Sequence, residues 1–341
     1  MNNLSLGGHI HTTATSLSQD FQNGNSDDTT AIDVQSAALS LTSSPSPYVD
    51  GKIVWLLEEG LNGGSAGQGF AVDQAYVTVG ANKHVLSDRK GRSDLNSPYY
   101  AKIGKFYSPF GISMGYHTFD VISEPETLAL AETLESGVQF GYKPHSNLNA
   151  FLAAYNGGGP DGDNDQGIND VVLGLHYSHR LGKLNVEWTN NQNNSLALQG
   201  ELTGNEDANA GYSAYASTEF GPAQLQVSYV AATDQYDTGG LVNEDPSALT
   251  AELTMNNLTK INAYPVNGTL VYDQTSDWPD HPENVYGAVV DVPVVNGATV
   301  SAEFLQREYD ESLTTRLDEE NLIAVRFSMS FSELLQTRSS K

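Results

Sequence analysis

Apolar and polar residues alternate along most of the chain, in segments of roughly nine to eleven residues. In the last segment, Ile323, Val325 and Phe327 alternate with an alanine, an arginine and a serine. Because successive side chains of a strand point to opposite faces, this pattern predicts strands with one apolar face and one polar face. Their length is about that of a tilted strand that crosses a bilayer.

The alternation predicts an all-β fold, a transmembrane antiparallel β-barrel of about 16 strands, which is an even number, as closure requires in bacterial barrels. A single barrel domain is expected over 1–331, followed by a C-terminal tail at 332–341. The strands are predicted near 4–15, 29–42, 49–57, 70–81, 99–107, 136–143, 148–156, 171–180, 184–192, 210–219, 223–233, 247–257, 264–272, 284–293, 298–307 and 321–331.

The connections between these strands alternate between short and long, as expected for short periplasmic turns and long extracellular loops. The connection 82–98 is an exception, because it is long although it falls on the short-turn side. The longest connection, 108–135, contains the start of a short helix near Ser123, with a proline and acids in the first turn. Such a helix could fold into the lumen or lie on the outer rim, and the sequence leaves both open.

The charges support this topology independently of the hydrophobic pattern. The chain has 42 acidic and 16 basic residues and a formal net charge of −26, which disfavours nucleic acid as a partner. The long loops carry 31 of the 42 acids, and Arg316 is their only basic residue. The opposite side carries basic residues at Lys83, Arg89, Lys90, Arg92, Lys143, Arg180, Lys183 and Lys260. The extracellular loops are therefore predicted to be acidic.

Composition excludes several kinds of site and of membrane-spanning segment. The chain has no cysteine, which excludes disulfides and thiolate metal sites. The mean hydropathy is −0.36 and no apolar run approaches the length of a membrane-spanning helix. The first residues enter a strand-like pattern directly, and an exported protein needs a signal peptide, so the leader is expected to have been removed. The expected location is the bacterial outer membrane.

Two stretches resemble outer-membrane porins: VDQAYVTVG at 72–80 and AKIGKFYSPFG at 101–111. The resemblance is to the LbtU-type siderophore porin family, and more distantly to phosphate-selective porins, over roughly 70–142. It implies passage of ferric siderophores without a plug domain. Barrels of this type usually end on an aromatic residue, and Phe331 fits that position.

An Asp-rich loop is the sharpest local motif in the sequence. Asp161, Asp163 and Asp165 alternate along a loop with three glycines, so their carboxylates can converge on one hard cation such as Ca²⁺. The loop departs from the EF-hand, with Gln166 where the turn glycine belongs and Val172 where the final glutamate belongs. We expect no required cofactor, with Ca²⁺ a candidate ligand of this extracellular loop and a plain solvated acidic loop the alternative.

Strand parity predicts which charged side chains face the lumen, because a charged side chain facing lipid is costly. A water-filled wall of mixed charge is the plain interpretation, and a selectivity lining with cation preference is the functional one. The predicted pore-lining residues are Lys52, Lys102, His176, Glu187, Glu219, Glu252, Asp291, Glu303 and Arg326. The same alternation predicts that His9 and His11 also face the lumen.

The sequence thus predicts a channel for passive passage of small hydrophilic solutes. No enzyme motif is present, and His176 and His179 point to opposite faces of one strand. The alternatives are a structural or adhesive outer-membrane surface protein whose acidic loops bind calcium or a partner, and a soluble all-β domain. Outer-membrane lipid, lipopolysaccharide and small solutes are the expected partners, and a homotrimer is an open possibility.

Overall fold

The structure is a computed structural model that describes residues 3–46, 48–58, 69–80, 98–111, 123–156, 167–193, 195, 197–198, 209–233, 235–238, 241–261, 264–279, 281–310 and 317–336. The strands are β1 (Asn3–Phe21), β2 (Ser26–Ser46), β3 (Val49–Glu58), β4 (Gly69–Gly80), β5 (Tyr99–Tyr107), β6 (Leu134–His145), β7 (Leu148–Tyr155), β8 (Asp170–His179), β9 (Gly182–Thr189), β10 (Gly211–Phe220), β11 (Ala223–Ala232), β12 (Tyr236–Thr238), β13 (Leu241–Glu244), β14 (Ser247–Ile261), β15 (Tyr264–Ser276), β16 (Asn284–Val295), β17 (Ala298–Glu308) and β18 (Leu317–Gln336). The helix is α1 (Glu126–Ala131).

Sixteen of the strands form one closed antiparallel barrel, in which each strand pairs with its neighbours in the chain and β1 pairs with β18. Closure leaves the described barrel sheet without an edge of unpaired backbone groups, which is what a lipid environment demands. The predicted strand number and the predicted all-β barrel are confirmed. The strands β12 and β13 form a separate hairpin in the connection from β11 to β14, which the sequence analysis assigned to a loop.

The largest extensions beyond the predicted strand ends are in β1, β2 and β18. The strands β1 and β2 have 19 and 21 residues, so most of the predicted loop 16–28 is paired strand. The first ten residues of β2 are exposed, which places both faces of this segment in contact with the surroundings. The strand β18 continues to Gln336, and its residues 332–336 pair with β1, so part of the predicted tail 332–341 belongs to the barrel.

The outward faces of the strands are apolar. On β18, for example, Ile323 is 56% exposed and its neighbour Ala324 is 1% exposed. The register places Phe304 of β17 opposite Ile323, so apolar side chains of adjacent strands share the outer face. A continuous exposed apolar band is unfavourable in water and suits hydrocarbon. The barrel is therefore of the transmembrane type.

Paired tyrosines lie at two levels on the outer surface. Near the short-turn end, the rings of Tyr99 and Tyr142 are 5.1 Å apart between centroids. Near the long-loop end, the rings of Tyr212 and Tyr229 are 5.8 Å apart. Amphipathic rings at both ends of an apolar band match the two interfaces of a bilayer. Within the described residues, no helix is long and apolar enough to cross a membrane.

Candidate functional site

The described residues 123–133 of the long connection between β5 and β6 lie inside the barrel. Its helix α1 packs against β11, β14 and β15, and Leu130 and Ala131 of the helix are almost fully buried. They belong to an apolar cluster with Val230 of β11, Ala248 of β14 and Trp278 of an outer loop. The sequence left the position of this helix open, and the structure places it inside the barrel.

Polar contacts fix the start of the helix to the barrel wall. The backbone NH and the hydroxyl of Ser123 donate to the carboxylate of Glu303 on β17, at 3.1 and 2.9 Å. The hydroxyls of Thr127 and Thr250 on β14 are hydrogen-bonded at 2.8 Å. Because these wall residues are buried, each contact compensates for a polar group removed from water.

A second set of contacts joins the helix to an outer loop. The ring nitrogen Nδ1 of His281 lies 2.8 Å from a carboxylate oxygen of Glu126. The ring of His281 stacks on the fully buried Trp278, with 3.5 Å between ring centroids. Trp278 and His281 of this loop therefore hold the first turn of the helix against the wall.

On the other side of the lumen, a cavity of about 710 Å³ remains open. Its wall comes from β1 to β6 and from β18, which lie away from the strands that contact α1. The lining residues include Gly7, Gly8, His9, His11, Ala38, Ser40, Lys52, Val54, Leu56, Asp73, Gln74, Lys102, Tyr107, Pro109, Gln139, Ser330, Phe331 and Ser332. Among the described residues, the lumen thus has a packed side and an open side.

Basic side chains line the open side. Lys102 of β5 places its ammonium 4.1 Å from the ring centre of Tyr76 and 3.9 Å from that of Phe106, which are cation–π contacts. Lys52 lies two strands away on β3 and is paired in register with Tyr76. On β1, the rings of His9 and His11 stack with centroids 4.5 Å apart.

One carboxylate, that of Asp73, also borders this cavity. The hydroxyl of Tyr107 donates to it at 2.9 Å, and the amide of Gln74 donates at 3.1 Å. The register between β3 and β4 shifts at this point, so Asp73 and Gln74 both reach the cavity although they are adjacent in sequence. A bulge of this kind breaks strict alternation, which is why parity did not identify Asp73.

The predicted acidic lining residues lie mainly on the opposite wall, where other side chains engage them. Glu187 accepts from His176 at 2.6 Å and from the hydroxyl of Ser213. Glu252 accepts from the amide of Gln226. These two glutamates are at most 2% exposed, so their charges are not presented to the open cavity.

The remaining predicted residues are spread along the wall. Asp291 accepts from the hydroxyl of Ser301, and Arg326 is paired in register with Ser301 on the inward face. Glu219 is exposed near the short turn after β10. The calcium candidates Asp161, Asp163 and Asp165 lie outside the described residues. Among the residues that the structure describes, no group of three or more His, Asp or Glu could hold a metal ion.

The described part of the outer loops is acidic. On the β12–β13 hairpin, burial together with the charges of Asp277 and Asp245 raises the pKa of Glu244. Two carboxylates that raise the pKa of a third indicate a locally negative potential. This is the charge distribution that the sequence predicted for the long-loop end.

Closed strands, an apolar outer band and a loop packed inside a polar lumen define the fold as that of the outer-membrane porins. The structure is similar to the outer membrane channel DcaP of Acinetobacter baumannii, with a TM-score of 0.62, 14% identity and 97% of each chain covered. It is also similar to an anion-selective porin from Comamonas acidovorans, with a TM-score of 0.64, 11% identity and coverage of 97% of this chain and 100% of that chain.

A third similar structure is the trimer form of OmpT, an outer membrane protein of Vibrio cholerae, with a TM-score of 0.58 and 12% identity over 97% of this chain and 99% of that chain. No protein-family model matches the sequence, and no curated protein matches it. At sequence identities of 11–14%, the structural similarity establishes the fold alone.

Proposed function

We propose that this protein is a channel of the bacterial outer membrane through which small hydrophilic solutes pass passively. The observation that carries the proposal is the open cavity of about 710 Å³ beside an inward-folded loop, inside a closed barrel with an apolar exterior. The structural neighbours support it, since they include an outer membrane channel and an anion-selective porin. Lipid and lipopolysaccharide would surround the barrel.

For small inorganic ions we propose cation preference, as the sequence predicts. The support is long-range electrostatics: the net charge is −26, and most acids lie in the long loops. A negative mouth raises the local concentration of cations and lowers that of anions. The basic side chains of the cavity oppose this effect locally, so the preference is expected to be moderate and to weaken as salt screens the loops.

Other expectations stay predictions. Passage of ferric siderophores rests on the sequence resemblance over 70–142, and calcium binding rests on Asp161, Asp163 and Asp165. The absence of enzymatic activity rests on missing motifs. A homotrimer is proposed by analogy with the trimer form of OmpT. The rival role, a structural or adhesive surface protein, requires a lumen that the inward loop seals.

Single-channel recording tests the proposal. The refolded full chain in a planar bilayer should give discrete current steps in KCl, and a tenfold KCl gradient should give a reversal potential of the sign expected for cation preference. Absence of steps from protein that is folded by circular dichroism would overturn the channel and favour the surface role. A reversal potential of opposite sign would overturn only the cation preference.

A further inference from the structure

We propose that the open cavity binds small organic carboxylates, with the carboxylate at Lys52 and Lys102 and the carbon body against the neighbouring apolar wall. The proposal rests on the proposed channel function and names the solute class that this channel retains during passage. It concerns a binding site inside the lumen, whereas the cation preference concerns the net flow of inorganic ions.

The charge of the cavity is the first support. Lys52 and Lys102 border it together with one carboxylate, Asp73, whose oxygens already accept from Tyr107 and Gln74. The two ammonium groups therefore exceed the local negative charge. An ammonium in a partly enclosed cavity attracts a carboxylate more strongly than one in bulk water does, because the effective dielectric constant is lower.

The second support is that Lys102 is held in place. Its ammonium lies over the rings of Tyr76 and Phe106, and Phe106 is fully buried in the apolar cluster beside α1. A flexible lysine loses side-chain entropy when it binds a ligand. Because packing already orders this side chain, less entropy remains to be lost on binding.

The apolar part of the wall selects an organic anion over an inorganic one. Val54 and Leu56 are each 7% exposed, and they border the cavity on the same face of β3 as Lys52. Ala38 of β2 and Pro109 add further apolar surface. A hydrated inorganic anion gains nothing from such a surface, whereas a hydrocarbon body gains by leaving water.

The three buried glutamates of the opposite wall do not provide an equivalent site. Glu187, Glu252 and Glu303 are almost fully buried on the opposite wall, where hydrogen bonds to other side chains engage them. They do not line the open cavity, so they do not neutralise its ammonium groups. The lumen thus has a basic, partly apolar wall that can bind a carboxylate. On the opposite wall, the carboxylates are already hydrogen-bonded to other side chains.

Benzoate is the probe, and benzamide is its neutral counterpart of nearly the same shape. Single-channel current in KCl is recorded while either compound is added to the chamber. We expect benzoate to reduce the current with saturation, and benzamide at equal concentration to have little effect. The Lys52→Gln/Lys102→Gln double variant should raise the half-blocking concentration of benzoate by about tenfold or more, the effect of losing charge-assisted hydrogen bonds.

Lys105→Gln is the matched control. It removes the same charge from the same strand, but Lys105 is absent from the cavity lining, and its ammonium lies 3.4 Å from the backbone carbonyl of Val72. The half-blocking concentration of benzoate in the Lys105→Gln variant should equal that in the unchanged protein. If the double variant fails to give current steps, the two single variants are measured, and each should raise the half-blocking concentration severalfold.

The outcomes separate this site from the channel function. No current steps in KCl from the unchanged, folded protein would overturn the proposed function. Normal steps with equal block by benzoate and benzamide, or with unchanged block in the lysine variants, would overturn the binding site and leave the channel intact. Equal loss of block in Lys105→Gln would also overturn the site, since it would indicate a general charge effect.

Discussion

At the level of single residues, Gly104 illustrates how the binding wall is built. It has φ of +136° and lies opposite Tyr76, the ring over which Lys102 is held. A Cβ on Gly104 would lie 2.1 Å from the carbonyl oxygen of Ala75 and 2.7 Å from the Cα of Tyr76. Both contacts are with backbone, so the strand itself would have to shift.

Gly104→Ala is therefore expected to destabilise the barrel by about 1–3 kcal/mol. Gly51→Ala is the matched control, because its Cβ would meet atoms only at 3.7 and 3.9 Å, which is ordinary contact. Urea unfolding in lipid vesicles, followed by tryptophan fluorescence, measures the free energy of unfolding of both variants. Equal stability of the two variants would contradict a steric requirement for glycine at position 104.

The inward direction of charged residues on regular strands can be predicted from sequence, as for Lys52 and Lys102, because alternation and the cost of a charge in lipid act together. Asp73 could not be found in this way, since a register shift places two consecutive side chains in the cavity. Nor does parity indicate whether a carboxylate is accessible. The hydrogen bonds that engage Glu187 come from two other strands.

At the level of elements, the inward helix α1 determines which part of the lumen stays open. It has six residues and no side-chain cap, so it is too short to be stable alone and depends on its contacts. Those contacts are the apolar cluster around Leu130, the Ser123 and Thr127 hydrogen bonds, and the contact between Glu126 and His281. The last of these joins the helix to an outer loop.

Glu126→Ala is expected to increase the frequency of brief closures and the noise of the open channel. Losing a charge-assisted hydrogen bond, worth about 1.5–3 kcal/mol, would raise the population of displaced helix by about tenfold or more. Glu283→Ala is the control, because Glu283 is an exposed acid of the neighbouring loop segment. Single-channel current variance measures both. An unchanged variance in Glu126→Ala, or an equal rise in both variants, would contradict this function of the contact.

The positions of the barrel strands could be predicted because each spans an apolar band and therefore alternates. The additional residues 26–28 at the start of β2 could not, since they are exposed and polar and have no apolar face to create the pattern. The hairpin of β12 and β13 is short and is not part of the barrel sheet, so periodicity gives no signal for it. The helix start near Ser123 was visible, but its location depends on residues from distant strands, such as Glu303.

At the level of the whole molecule, charge is separated in two ways. Along the barrel axis, the acids concentrate at the long-loop end. Across the lumen, accessible ammonium groups lie on the open side, and engaged carboxylates lie on the wall opposite. We propose that the first separation selects which small ions enter and that the second selects which solutes are retained. On this proposal, a single barrel favours inorganic cations and still binds organic anions.

The proposed channel and the proposed carboxylate site both require that one face of each strand contacts hydrocarbon. The other face must contact water in an enclosed lumen. The chain has no cysteine, so single cysteines report on one position each. On β2, Ala38 and Ser40 line the cavity, whereas Leu39 and Leu41 lie on the opposite, outer face of the strand. Labelling with a charged, membrane-impermeant thiol reagent in lipid vesicles tests this directly. Ala38→Cys and Ser40→Cys should react, and Leu39→Cys and Leu41→Cys should be protected; uniform reactivity or the reverse pattern would contradict a membrane-spanning, water-filled barrel.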